Sequence, residues 1–309
     1  MIVQNIPVLD FAAFMEGSAA QQAAFVEDLG KALQTYGFFA LEHHGIEARL
    51  IQSAYGAAEA FFALPDATKL GYEDDALKGQ RGFVRFGKEH AKDHPVPDLK
   101  EFWHVGRGGN PELANPWPKE VPQFRPAMIE LYKQLETCAA RLLEACALWL
   151  EQPRALFARE SAEGSSILRI IHYPPIPDGV APQSLRAAPH EDINLITLLC
   201  ESTASGLELL QPDGSWLPIP SIPGQIIVDT GDMLQALSNG LLKSTTHRVI
   251  NPDNARLRRF SMPFFVHPRP EFDLTPLPVC VHKTNGEQRY PIQTAGEYLS
   301  QRLQEIGLG

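Results

Sequence analysis

The stretch HEDINLITLL, residues 190–199, decides how this chain is read. His190 and Asp192, two residues of metal-ligand type, stand two positions apart at the front of an apolar run. In an extended chain, residues two apart share a face. A strand over 193–200 would thus carry His190 and Asp192 together into the interior and turn Glu191 away. Similar β-like runs recur at 167–173, 207–210, 225–229, 246–250 and 258–266. Turn-forming groups separate them: PDG at 212–214, PG at 223–224, NG at 239–240 and NPDN at 251–254. Short strands at this spacing predict an antiparallel barrel or jelly roll.

Working outward, the flanks read as helical. IPVLDF (6–11) is a short strand, and 21–36 has helical spacing, with Ala24, Phe25, Leu29 and Leu33 on one face. GFFALEHHG (37–45) reads as a strand and 47–63 as a helix that Pro65 ends or redirects. Residues 69–122 are rich in Gly and Pro and predict loops with short strands. The longest periodic helix spans 124–149, where Met128, Leu131, Leu135, Leu142 and Ala145 recur at threes and fours; 298–306 is a candidate closing helix. The expected fold class is mainly β with helices: a mixed N-terminal region (1–122), a helix plus β core (123–280) and a C-terminal extension (281–309), packed as one unit.

The bulk composition narrows the function classes. The 309 residues carry a net charge of −10, which argues against nucleic acid or anionic membranes as partners. No apolar stretch approaches the 18 or more residues of a membrane span, and the N-terminus lacks the basic start and apolar run of a signal peptide. Cys138, Cys146, Cys200 and Cys280 form no C-x-x-C pair. Buried free thiols in a reducing cytoplasm are the expectation.

Two imidazoles and a carboxylate can hold a divalent iron on one face and leave the opposite positions open. His247, in STTHRVINP, sits in another β-like run and supplies the second imidazole. Spacing alone is weak, because about half of one H-x-D triplet is expected by chance at typical usage. A surface histidine beside a solvated aspartate has the same pattern. The other histidines fit less well. His43 and His44 are adjacent and would face opposite ways on a strand; His90, His94 and His104 could line a pocket but have no carboxylate at ligand spacing. His172, His267 and His282 read as surface or packing residues. A second constellation is Arg259-Phe260-Ser261, whose outer residues share a strand face. A guanidinium grips a carboxylate through two parallel charged hydrogen bonds, and a hydroxyl adds a third. Arg159-Glu160-Ser161 has the same form but no relation to the ligands. A hairpin at NPDN would set His247 across from Arg258 or Arg259, about 5 Å away.

In order and spacing these motifs resemble the isopenicillin N synthase-like iron(II)/2-oxoglutarate oxygenases, over nearly the whole chain. IPVLDF, GFFALEHHGI and FFALP are similar to the family's N-terminal region, LRIIHYPP (168–175) to its strand ending in Tyr-Pro. HEDINLITLL, the segment from DGSWLPIP to STTHRV, and RRFSMPFF are similar to its catalytic core. The resemblance implies a double-stranded β-helix core with Fe(II) held by His190, Asp192 and His247. It implies 2-oxoglutarate as co-substrate, with Arg259, Ser261 and Tyr173 on its distal carboxylate and Arg169 nearby, although a structural ion pair accounts for Arg169 equally well. It further implies O2 as oxidant, succinate and CO2 as products, and a small molecule that is hydroxylated, desaturated or cyclised. The chain departs from the family at Ile171-His172, where Asn-Tyr is common, and at Asp229, where Asn is usual. Both departures put the transfer of a substrate in doubt. Residues read as candidates for the substrate pocket are Arg81, Phe83, Arg85, Phe102, Trp103 and Phe265. The competing readings are an iron oxidase without 2-oxoglutarate, a silent ligand-binding relative and a zinc hydrolase. Neither the substrate nor the oligomeric state is legible.

Overall fold

The computed structural model describes residues 5–92, 96–108, 113–181 and 183–306; His94 lies outside them. The N-terminal region runs β1 (Val8–Asp10), α1 (Phe11–Met15), α2 (Ala19–Thr35), β2 (Phe38–Glu42), α3 (Ala48–Phe62), α4 (Asp66–Leu70), β3 (Gly82–Val84) and β4 (Glu101–Gly106). Ser18 and Gln21 close a capping box at the start of α2, satisfying two amide groups that the first helical turn leaves open. Pro65 separates α3 from α4, as its missing N–H requires.

The middle comprises α5 (Phe124–Trp149), α6 (Leu156–Ala162), β5 (Ile167–Tyr173), β6 (Ala187–His190), β7 (Ile196–Leu199), β8 (Leu207–Leu210) and β9 (Trp216–Pro218). There follow β10 (Ile226–Thr230), α7 (Asp232–Leu237), β11 (His247–Val249), β12 (Arg259–Ser261), β13 (Pro263–Val266), α8 (Pro278–Lys283) and α9 (Ala295–Glu305). Most expected strands appear, slightly trimmed. The strands β6 and β9 and the short helices α1, α4, α6, α7 and α8 have no counterpart in the sequence reading. Each is too short to display a period.

The strands form two sheets. The larger runs β1-β2-β10-β7-β13-β5-β4-β3, with β12 also paired to β5; the smaller runs β6-β11-β8-β9. Pairing is antiparallel except for β1 with β2. This is the jelly-roll core, and period-two alternation gives the large sheet two distinct faces. Phe39 and Leu41, Leu168 and Ile170, Leu198, Val228 and Phe264 point to the helices, where α2, α3 and α5 cover them. Phe38, Arg169, Tyr173, Thr197, Asp229 and Phe265 point to the small sheet. One apolar cluster on the helical side joins residues from Leu9 to Ala295, and two smaller clusters lie between the sheets, around Leu209 and around Ile171.

The expected NPDN hairpin does not form. β11 pairs with β6 and β8 in the small sheet, whereas β12 pairs with β5 in the large one. The segment between them crosses from sheet to sheet, so His247 and Arg259 face one another through the interior instead of lying side by side.

Gly37 is required where the N-terminal region meets the core. It has φ +72°, and a Cβ there would collide with the Lys243 carbonyl oxygen and Thr245 Oγ1. Its absence lets Thr245 Oγ1 donate to the Tyr36 carbonyl at 2.9 Å, two residues before His247.

Candidate metal centre

His190, Asp192 and His247 converge between the sheets, with their ligand atoms all within 4.8 Å of one another. His190 and His247 are register partners of β6 and β11. The pairing then slips: Val249 partners Ala187, so two residues of β11 span three of β6. This bulge puts both Ala187 and His190 against the same cavity, which strict alternation forbids.

Asp192 is not on a strand. β6 ends at His190 and β7 begins only at Ile196, which corrects the expectation of a strand from 193. Its place is set from the far side. Asp232 N donates to the Asp192 carbonyl at 2.7 Å, Gly231 N to Leu195 at 3.0 Å and Met233 N to Asn194 at 3.0 Å. Gly231 is needed for this clamp, since a Cβ would run into Asn194. Glu191, which alternation turns away from the ligand face, is half-buried. It accepts from Thr246 Oγ1 and borders a second cavity.

The donor set suits a divalent metal. His190 Nδ1 is 2.7 Å from the Ala188 carbonyl oxygen and His247 Nδ1 3.2 Å from that of Thr245. A carbonyl only accepts, so each Nδ1 carries the proton and each Nε2 presents a lone pair. The Nε2 atoms lie 4.0 and 3.8 Å from Asp192 Oδ1. Burial and the adjacent His247 hold His190 below the usual histidine range, which favours the neutral imidazole a metal requires. The other carboxylate oxygen, Asp192 Oδ2, accepts from Thr197 Oγ1, which in turn accepts from Asn194 Nδ2 at 2.9 Å. Burial, and then the Asp192 carboxylate, push Asp229 well up, so its acid form is favoured.

The same cavity, about 60 Å³, is lined by Arg259, Ser261, Tyr173 and Arg169. Arg259 is 1% exposed. Its Nε donates to the Ala204 carbonyl at 3.1 Å, while Nη1 is buried with no hydrogen-bond partner among the described residues. Its guanidinium carbon is 4.9 Å from the Tyr173 ring centre, and that of Arg186 is 5.8 Å from the same ring. Burial and the charge of Arg259 hold Arg186 down to about 10. Neither arginine forms an ion pair with a carboxylate among the described residues. Two buried cations with an open guanidinium edge call for an anion of roughly carboxylate geometry.

Arg169 belongs both to this cavity and to a neighbouring polar cluster. It lines the cavity, yet its Nη1 donates to Glu89 Oε1 at 2.9 Å and its Nε to His104 Nε2 at 2.6 Å. Its guanidinium carbon sits 4.3 Å from the Phe102 ring centre and 5.2 Å from that of Phe265.

A second cavity of about 100 Å³ opens from the triad between β4, β5 and α9. Of the proposed substrate residues, Phe265 lines it and Phe102 supports Arg169 at its wall. The other four are not among the residues that line it. Phe83 and Trp103 are register partners on the helical face, where both pack on Phe61 at 5.8 and 4.8 Å. Arg81 is buried against Gly106 and donates to the Gln80 carbonyl at 2.6 Å. Arg85 is exposed and pairs with Glu73 at 2.8 Å. Sequence reasoning missed Arg186 beside Tyr173 and, on the second cavity, Glu89, Lys100 and the α9 residues Leu299, Arg302 and Leu303, and it took His267, which also lines this cavity, for a surface or packing residue. A signal existed for part of this set: Asp98, Lys100, Phe102 and His104 alternate along DLKEFWHVG. His90 and His104 line the cavity, as allowed, whereas His172 is buried against Glu101, its Nδ1 2.7 Å from Oε1. The four cysteines are free and buried.

Known proteins agree with this architecture. Residues 6–126 match the family described as non-haem dioxygenase in morphine synthesis N-terminal, and residues 164–268 match the 2OG-Fe(II) oxygenase superfamily. A 2-oxoglutarate-Fe(II) type oxidoreductase of Emericella nidulans is 30% identical, over 92% of this chain and 85% of its own. A 2OG-Fe(II) oxygenase family protein from Caulobacter crescentus is 38% identical over 97% of this chain and 98% of its own, with a TM-score of 0.85. A full-length Neurospora crassa protein, solved in complex with alpha-KG and thymine, is 28% identical over 97% of this chain and 96% of its own, with a TM-score of 0.87. The chain belongs to the 2-oxoglutarate–Fe(II) oxygenases, enzymes that use Fe(II), 2-oxoglutarate and O2.

Proposed function

We propose that His190, Asp192 and His247 are the Fe(II) ligands, and that Arg259, Ser261 and Tyr173 receive the distal carboxylate of 2-oxoglutarate. The observation that carries this assignment is the open, buried guanidinium edge of Arg259 in the cavity that also holds the three ligand atoms. An iron oxidase without 2-oxoglutarate would leave that charge buried and without a counter-ion.

When bound, iron with 2-oxoglutarate and oxygen supplies the oxidising power, with succinate and CO2 as by-products. The chain's own groups position and shield. Thr197 fixes the rotamer of Asp192, and the Ala188 and Thr245 carbonyls fix both imidazoles. Tyr173 and Arg259, register partners on β5 and β12, form the far wall. Leu299 and Leu303 of α9 give the second cavity an apolar side. The substrate is a small molecule taken into that cavity; the thymine complex of the Neurospora protein supports a ligand of this scale beside alpha-KG. The net charge of −10 supports a partner set without nucleic acid. Four free buried thiols support a reducing, cytoplasmic setting. Among the described residues no helix is long and apolar enough to cross a membrane. The segments 1–122, 123–280 and 281–309 are read as one unit, supported by the apolar cluster that joins them.

The test is succinate release with Fe(II), 2-oxoglutarate and a panel of small molecules, compared between the native chain and Asp192→Ala. Stoichiometric succinate from the native chain and none from the variant is the expected result. An active Asp192→Ala enzyme would remove the triad assignment.

A further inference from the structure

The second cavity carries an unanswered polar demand. Glu89 is 6% exposed. Its Oε1 accepts from Lys100 Nζ at 2.7 Å and Arg169 Nη1 at 2.9 Å. Its Oε2 is buried with no hydrogen-bond partner among the described residues. Burial pushes this carboxyl up, but Arg169 and Lys100 outweigh that and hold it far below the usual carboxylate range. Glu89 is therefore ionised and can only accept. Such an oxygen needs a donor.

The protein around it narrows the kind of donor. Lys100 is shared with Asp98 at 2.8 Å, so Glu89, Asp98, Lys100 and Arg169 sum to zero charge. His104 adds none: its Nδ1 is 2.6 Å from the Gly79 carbonyl oxygen and its Nε2 accepts from Arg169, so the ring is neutral. A cationic group on Glu89 would make the balanced cluster positive beside two existing cations. A neutral N–H or O–H leaves it balanced. On the α9 side, Arg302 pairs with Glu305 at 2.8 Å, yet its Nε is buried with no hydrogen-bond partner among the described residues and seeks an acceptor. The volume, about 100 Å³, is on the scale of one small ring.

We propose that Glu89 is a specificity residue, and that the substrate is a neutral molecule of single-ring size whose amide-type N–H donates to Glu89 Oε2 while its carbonyl accepts from Arg302. This rests on the reading of the triad as the iron site, since the second cavity reaches the triad through His190, Asp192 and Arg169.

The probes are three matched six-membered rings: 2-piperidone, its N-methyl derivative, and piperidine, which is cationic at neutral pH. Binding is measured by ligand-observed NMR on the full chain loaded with Mn(II) and 2-oxoglutarate. The expected result is 2-piperidone bound at least about tenfold more tightly than the other two, since each of those lacks the neutral N–H. In Glu89→Gln the amide oxygen can face Lys100 and Arg169 and turn its NH2 to the cavity. The preference then reverses, and the N-methyl ring binds better than 2-piperidone. Absence of 2-piperidone binding, equal binding of the two lactams, stronger binding of piperidine, or an unreversed preference in folded Glu89→Gln would each overturn the proposal. The lactam comparison needs only the native chain, so a variant that fails to fold leaves it decisive. Failure of 2-oxoglutarate itself to bind would instead strike the assignment of the co-substrate site.

Discussion

Replacing Arg259 with Met separates binding from stability, because the two respond in opposite directions. Methionine has nearly the reach of the arginine stem without the charge. Arg259 is buried, makes one hydrogen bond to the Ala204 carbonyl and has a free Nη1. In the presence of 2-oxoglutarate its loss removes one side of a desolvated, charge-assisted carboxylate contact, which costs about 2–5 kcal/mol. That corresponds to a rise in the 2-oxoglutarate Kd of roughly 30-fold to several thousand-fold. In the ligand-free protein the same change deletes a buried cation that forms no ion pair with a carboxylate among the described residues, and relieves Arg186, whose own ionisation Arg259 depresses. Replacing buried charge by apolar volume is neutral or stabilising by about 1–4 kcal/mol, from which the lost bond to Ala204 takes roughly 1 kcal/mol. The Arg259→Met protein is therefore expected to melt at the same temperature as the parent or a few degrees higher without ligand, while losing most of the ligand-induced rise. Anaerobic calorimetry of the metal-loaded protein gives the first quantity and thermal unfolding the second. A variant that binds 2-oxoglutarate within threefold of the parent would refute the reasoning, because nothing else then explains the open edge of Arg259.

Two further outcomes follow from the site. Thr197→Val keeps the shape of the side chain but removes the hydroxyl that donates to Asp192 Oδ2; metal affinity is expected to fall about 10- to 100-fold in a metal-binding titration, with the fold retained. His267 is buried, and burial holds it down to about 4. Between that value and the unfolded value near 6.5 the unfolded chain binds the extra proton, so stability falls as pH drops through this window. The His267 share is up to about 3 kcal/mol. Urea melts of the metal-free protein at stepped pH are expected to show the loss, and His267→Asn to flatten it; an unchanged slope would remove His267 from the account.

Legibility followed the length over which a physical period could repeat. The helix at 124–149 was readable to the residue, because seven turns display an apolar stripe many times. The strands at 167–173 and 207–210 were equally plain. β6 was not: it has four residues, a proline and a bulge, and its cavity-facing Ala187 and His190 are three apart. The aromatic candidates divided for a reason that sequence could have supplied. Phe102 and Trp103 are adjacent on one strand and must face opposite ways, so only one could meet the site.

The sequence by itself determined the chemistry: two histidines, an aspartate, and an arginine and serine sharing a strand face, set in an order that names the family. Only the tertiary structure decided how these parts meet. His247 and Arg259 are not neighbours on a hairpin but look at each other from two sheets, since the chain between them crosses the core. Asp192 owes its position to backbone amides at the start of α7, some forty residues further along the chain. Glu89 meets Lys100 and Arg169 only because residues 87–89 lie alongside 98–100, with Gly87 N donating to the Lys100 carbonyl and Asp98 N to that of Glu89. Pairings of that kind depend on which distant segments share a wall, and no period in a single stretch of chain records that.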